Sequence, residues 1–171
     1  MLRHVLTLIG PDRSGIISTL AEGVRELGGN WRASRLARLA GQFAGVVEFD
    51  LPEARAADLE GLLGHLRVSG LAVNVHRGES VVPTGGSLWH IDLLGNDRPG
   101  IVREVSRAVA TAGGNVEDWE SRVNSSPMSG TPLFELQGSV RLPDNADPAQ
   151  LRRALEALGA DLSVDIRLTA D

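Results

Sequence analysis

The sequence contains no cysteine. That excludes a disulfide framework and a thiolate nucleophile, and it is compatible with a reducing cytoplasm. No apolar run approaches the roughly 20 residues needed to span a bilayer. The opening MLRHVLTLIG is too short for the apolar region of a signal peptide and reads as a strand. A soluble, cytoplasmic protein without membrane contact is expected. There is also no run of Lys or Arg, and 17 basic against 22 acidic side chains leave a net charge of −5. Nucleic-acid binding needs a concentrated basic footprint, so direct DNA or RNA contact is not expected.

The signatures of catalysis are missing too. His4, His65, His76 and His90 lack metal-ligand spacing and read as scattered surface residues. Ser14 and Ser18 have no His-Asp partner nearby in sequence, which argues against a hydrolytic triad. The glycine-rich turns described below lack the Gly-Lys-Ser/Thr ending of a phosphate loop. Neither an enzyme, a metal nor a cofactor is expected.

What is present is a repeat. GPDRSGI at Gly10–Ile16 matches GNDRPGI at Gly95–Ile101, and GGN at Gly28–Asn30 matches GGN at Gly113–Asn115, both offset by 85 residues. Between the matches, Ile16, Ile17, Leu20, Val24 and Leu27 have the spacing of one helical face, as do Ile101, Val102, Val105, Val109 and Ala112. Pro99 suits the first turn of the second of these helices. The paired glycines then stop each helix, because glycine accepts the left-handed C-terminal conformation.

Each copy continues in parallel. Phe43, Gly45, Val47, Phe49 and Leu51 alternate as a half-buried strand should, and so do Phe134, Leu136, Gly138, Val140 and Leu142, now 91 residues later. The larger offset implies a six-residue insertion in the Ser125–Pro132 segment, which reads as a loop. A second amphipathic helix follows, with Leu59, Leu62, Leu63 and Leu66 in copy one and Leu151, Leu155 and Leu158 in copy two. Closing strands are expected at Leu71/Val73/Val75 and at Leu162/Val164/Ile166/Leu168. The order in each copy is βαββαβ, so the fold class is α+β. Two ferredoxin-like domains stand in tandem, each an antiparallel four-stranded sheet with its helices on one face. The boundaries are 1–78 and 87–171, with 79–86 as a linker.

The turn from the first strand into the first helix is the candidate site. Its bounding glycines allow close approach of backbone. The helix N-terminus offers free N–H groups and partial positive charge to a carboxylate. Asp12 and Asp97 stand beside it, where they could attract an ammonium group. A site with both features suits an α-amino acid. The alternative is that the glycines only shape the turn and each Asp only caps a helix. Trp31 and Trp119 lie near this site in sequence and read as core or interface packing. Glu117, Asp118 and Glu120 read as a solvated strand face.

A strand, G-x-D-R-P-G, an amphipathic helix, G-G-N and a further strand resemble the ACT domain, an amino-acid-sensing module. The resemblance covers both copies. A chain of two such modules is similar to the glycine cleavage system transcriptional repressor group, and GGNVEDWESRV followed by PMSGTPLFEL adds to that likeness. The resemblance implies that effectors sit between two domains, against the strand–helix turn and the start of the second strand. It therefore implies ligand positions at Gly10, Asp12, Arg13, Gly15 and Asn30, and at Gly95, Asp97, Arg98, Gly100 and Asn115. Serine-sensing members carry His-x-Asn in the turn, whereas Gly10/Asp12 and Gly95/Asp97 stand here, which argues against serine. Ser14 replaces the family's proline in copy one. The implied function is regulatory sensing of an amino acid through a protein partner such as a transcription factor, as a homodimer, with glycine or other amino-acid metabolism as the regulated process. The alternative is an interaction module with vestigial sites.

Overall fold

The computed structural model describes residues 1–78, 85–126 and 130–171. The chain divides into two compact units of the same topology. The first contains β1 (Leu2–Pro11), α1 (Ile16–Glu26), β2 (Asn30–Leu39), β3 (Gln42–Leu51), α2 (Leu59–Val68) and β4 (Ala72–Arg77), with a 3-10 turn at Glu53–Asp58 before α2. The second contains β5 (Ser87–Asn96), α3 (Ile101–Thr111), β6 (Asn115–Ser125), β7 (Pro132–Leu142), α4 (Pro148–Leu162) and β8 (Val164–Ala170). The strand orders are β2-β3-β1-β4 and β6-β7-β5-β8, and every pairing is antiparallel. The expected linker lies outside the described residues except for Gly85 and Gly86. Residues 127–129 of the expected loop lie outside them as well.

The alternating pattern of the strands sends one side of each sheet toward the helices. Leu6, Leu8, Val47, Phe49 and Leu51 meet Ile16, Leu20 and Val24 of α1 and Leu63 and Leu66 of α2 in one buried cluster. Ile91, Leu93, Leu136, Val140 and Leu142 meet Ile101, Val105 and Val109 of α3 and Leu151 and Leu155 of α4 in the other. Each fully buried Leu or Ile stabilises its unit by about 1.5–3 kcal/mol relative to exposure.

The helix stops match their sequence reading. Gly28 (φ 70°) and Gly113 (φ 74°) adopt the left-handed conformation. The N–H groups of Gly29 and Gly114 donate to the carbonyls of Val24 and Val109 at 2.8 and 2.9 Å, the closing bond of a Schellman motif.

Four details depart from the sequence reading. Ile17 and Val102 are 47% and 44% exposed, because they follow the first core residue of each helix by 100° and fall off the buried stripe. Pro99 is not in the first helical turn: Gly100 is the N-cap of α3 and Pro99 belongs to the turn before it. Leu162 is the last residue of α4 rather than part of the closing strand, and Ser163 in the left-handed region (φ 53°) ends that helix. His4 is not a surface residue. It is buried on the inner face of β1, stacked on Phe49 at 5.7 Å, with Nδ1 3.0 Å from the Leu2 carbonyl oxygen.

Candidate functional site

In each unit the first strand runs to the edge of the sheet, and the chain then reverses into the first helix. Gly15 (φ 91°) and Gly100 (φ 101°) make that reversal as helix N-caps in the left-handed conformation. Neither cap supplies a side-chain hydrogen bond to its helix, which leaves first-turn N–H groups facing solvent. A Cβ at Gly100 would meet no atom within 4 Å, and one at Gly15 only Ser18 Oγ at 3.7 Å. The approach to both helix ends is therefore open, and glycine is required there for its backbone conformation.

Gly10 and Gly95 serve a different purpose. A Cβ at Gly10 would lie 2.7 Å from the Gly70 carbonyl oxygen, and one at Gly95 would lie 2.1 Å from Val164 Cγ1. Both glycines let the entry to the last strand pack tightly against the first. They shape the base of the turn.

The aspartates differ between units. Asp12 receives Arg38 Nε at 2.7 Å, an ion pair that ties the turn to the end of β2. The Asp12 N–H also donates to the Gly41 carbonyl at 2.9 Å. Asp97 makes the matching backbone bond, its N–H donating to the Pro132 carbonyl at 2.9 Å. Its carboxylate, however, has no partner among the described residues. Val123 occupies the place of Arg38, so no cation reaches across. Arg13 and Arg98 are exposed beside their turns.

Asn30 and Asn115 begin β2 and β6 and are exposed. They do not lie with the turns. Asn30 pairs with Asp50 of β3, whereas Pro11 pairs with Gln42. Those points are almost a full strand apart, roughly 25 Å at the rise of a strand. Asn115 opposite Arg141 and Asn96 opposite Leu133 repeat the separation. Two separate hollows of unit two reflect it. One, about 450 Å3, is lined by Gly95, Asn96, Leu133, Ser163 and Asp165. The other, about 490 Å3, is lined by Gly113, Asn115, Arg141 and Asp144. Trp31 and Trp119 point inward from the edge strands and pack on the two cores.

Sequence reasoning missed a third concavity. It lies on the sheet face of unit two that the helices do not cover, measures about 290 Å3, and is lined by Asp92, Glu120, Arg122, Gln137, Asp165 and Arg167 among others. The alternation that locates the core also locates these residues, since they are the out-facing set of the same strands. Arg122 Nε and Asn124 Nδ2 donate to Glu135 at 2.7 and 3.2 Å. Those two hydrogen bonds, Asn124's first, hold the Glu135 carboxyl below the ordinary carboxylate value. Among the described residues no group of three or more His, Cys, Asp or Glu is placed to hold a metal ion, and no helix is long and apolar enough to cross a membrane.

The fold and its turns invite comparison with known proteins, and the family model for the ACT domain matches residues 3–76. The first unit belongs to the ACT-domain family. The glycine cleavage system transcriptional repressor of Escherichia coli (strain K12) is 24% identical over 172 residues, covering 93% of this chain and 85% of that protein. The UPF0237 protein SMU_72 of Streptococcus mutans serotype c is 35% identical over 78 residues, covering 46% of this chain and 82% of that protein. Among solved structures, an unknown protein from Galdieria sulphuraria is 26% identical, with a TM-score of 0.83 over 99% of this chain and 98% of that one. That structural match extends the tandem architecture over both units, beyond the ACT-domain match to the first.

Proposed function

We propose that this ACT-domain protein is a regulator that senses an amino acid and acts on a protein partner, such as a transcription factor, without catalysing a reaction or touching DNA. The observation that carries the reading is the strand–helix turn of unit two, where a helix N-terminus without a side-chain cap, an open Gly100 and an Asp97 carboxylate with no partner among the described residues stand together. The helix end suits a carboxylate and Asp97 suits an ammonium group. The likeness of both units to a protein named as a glycine cleavage system transcriptional repressor supports amino-acid metabolism, glycine's included, as the regulated process. Net charge of −5 favours a protein partner over DNA, and a cytoplasmic location accords with that role.

The separation of each turn from Asn30 or Asn115 bears on assembly. A ligand that touches both the turn and the start of the second strand spans nearly a whole sheet within one unit. We propose that a second copy of the chain supplies the missing element, in a homodimer. In unit one the Asp12–Arg38 ion pair favours the other reading, an interaction module whose ligand position is vestigial.

Thermal-shift screening against the twenty amino acids tests the proposal. A ligand at 100 times its dissociation constant adds about 2.7 kcal/mol of stability. Asp97→Ala is then expected to cost about 1.5–3 kcal/mol of binding, roughly tenfold to hundredfold in affinity, whereas Asp12→Ala leaves it unchanged. A ligand held equally by wild type and Asp97→Ala removes the second turn from consideration. Absence of any stabilising amino acid favours the interaction module.

A further inference from the structure

The out-facing side of the second sheet carries charge in an ordered pattern. Strand register places Glu120, Gln137, Asp92 and Arg167 in one row across the four strands, and Arg122, Glu135, Leu94 and Asp165 in the next. The first unit has Arg35, Val46, Thr7 and Asn74 in the first of these rows, and Ala37, Ala44, Ile9 and Ala72 in the second. The cores of the two units are alike, but these two rows hold one charged side chain in the first unit, Arg35, and six in the second; the first unit's other out-facing charges, Arg3, Glu48 and Asp50, lie toward the opposite end of its sheet, where Arg3 pairs with both carboxylates. The charged rows line the concavity of about 290 Å3 together with Leu93, Leu136 and Ser121.

Not all of this charge finds a partner among the described residues. Arg122 and Asn124 satisfy Glu135, and Glu120 reaches Arg122 only at 3.8 Å. Asp92, Asp165 and Arg167 have no partner among the described residues. Asp92 and Arg167 are direct cross-strand neighbours, close enough for opposite charges to pair, yet they do not close on each other.

We infer that this concavity is a second small-molecule site, separate from the strand–helix turn, and that it takes a basic α-amino acid. The ligand carboxylate meets Arg167, and its ammonium group meets Asp92 and Asp165. Glu120 stands two strands beyond Asp92, roughly 10 Å away, and is placed to receive a second cation at the end of an extended side chain. The concavity is close to the lower size limit of ordinary ligand pockets, which suits a molecule of amino-acid size. The inference does not depend on the proposed sensing turn, and its decisive residues are different.

Isothermal titration of the full chain with L-lysine tests it, with glycine, L-glutamate and 1,4-diaminobutane as comparators. The variants carry the first unit's residues at matching positions: Asp92→Thr, Asp165→Ala and Arg167→Asn. These are exposed positions, so the fold is expected to hold. Saturable lysine binding is expected, weakened roughly tenfold to hundredfold by Asp92→Thr and by Arg167→Asn and unchanged by Asp97→Ala. Glycine and L-glutamate should bind more weakly than lysine. The inference is overturned if lysine gives no saturable heat at millimolar concentration, or if its affinity survives both Asp92→Thr and Arg167→Asn. It is overturned equally if Asp97→Ala abolishes lysine binding. Binding of the diamine that equals that of lysine and is indifferent to Arg167→Asn also overturns it, because the carboxylate contact is then absent.

Discussion

The two units share one core plan and differ on the sheet face that the helices leave open. In the two matched rows of the first, Thr7, Ile9, Ala37, Ala44 and Val46 are out-facing beside a single charge, Arg35, and Ile9 and Val46 are 51% and 42% exposed. On the second, the matching places hold Asp92, Leu94, Arg122, Glu135 and Gln137. The turns differ in the same way, with Asp12 held by Arg38 and Asp97 open. Inward positions are fixed by volume and dehydration, so both copies keep Leu, Ile, Val and Phe there. Outward positions carry no such constraint and have separated in chemistry. A difference confined to the outward set reflects the surroundings of each unit rather than its folding.

The likeness of the cores is tested by the largest expected effect. Phe49→Ala in the first unit should lose about 3–5 kcal/mol, and Leu151→Ala in the second about 2–5 kcal/mol, by urea unfolding. A loss well below this range in one unit would break the equivalence.

Next come the glycines at the base of the turns. Gly10→Ala and Gly95→Ala each drive a methyl group into neighbouring atoms and should cost about 1–3 kcal/mol by overpacking. Gly15→Ala and Gly100→Ala meet open space, so their cost is the left-handed backbone alone, about 1–2 kcal/mol, readable as a lower melting temperature.

The smallest effects separate the units most sharply. Asp12→Asn removes an exposed ion pair and should cost about 0.2–1 kcal/mol, whereas Asp97→Asn should leave stability unchanged. Glu135 adds a pH signature to unit two. Its carboxyl is held low by Asn124 and Arg122, so its contribution is present above the unfolded-state value and is lost as pH falls through the folded one. Glu135→Gln should flatten the acid limb of the stability profile. An unchanged limb would show that those hydrogen bonds do not persist in solution.

Much of the fold was legible because one device recurs. Helical spacing identified Ile16, Leu20, Val24, Ile101, Val105 and Val109, all of which are buried. Periodicity failed where a neighbouring apolar residue lay off the stripe, as at Ile17 and Val102. It failed also at Leu162, where an apolar residue at the end of a helix continues the alternation of the strand after it. Spacing read Gly10 and Gly95 with the turn but gave no sign that they are packing residues, since only the folded sheet brings Gly70 and Val164 against them. The paired state of Asp12 was invisible for the same reason: Arg38 reaches it from the far end of β2. The charged rows on the second sheet were present in sequence as ordinary polar positions. They form a pattern only when four strands are laid in register.

The inward-packed tryptophans give each unit its own optical label. Trp31 belongs to the first unit, Trp89 and Trp119 to the second, and the sequence has no tyrosine. A chain carrying Trp31→Phe emits only from the second sheet, and one carrying Trp89→Phe and Trp119→Phe only from the first. Fluorescence can therefore follow the melting of each half of an intact molecule without cutting it.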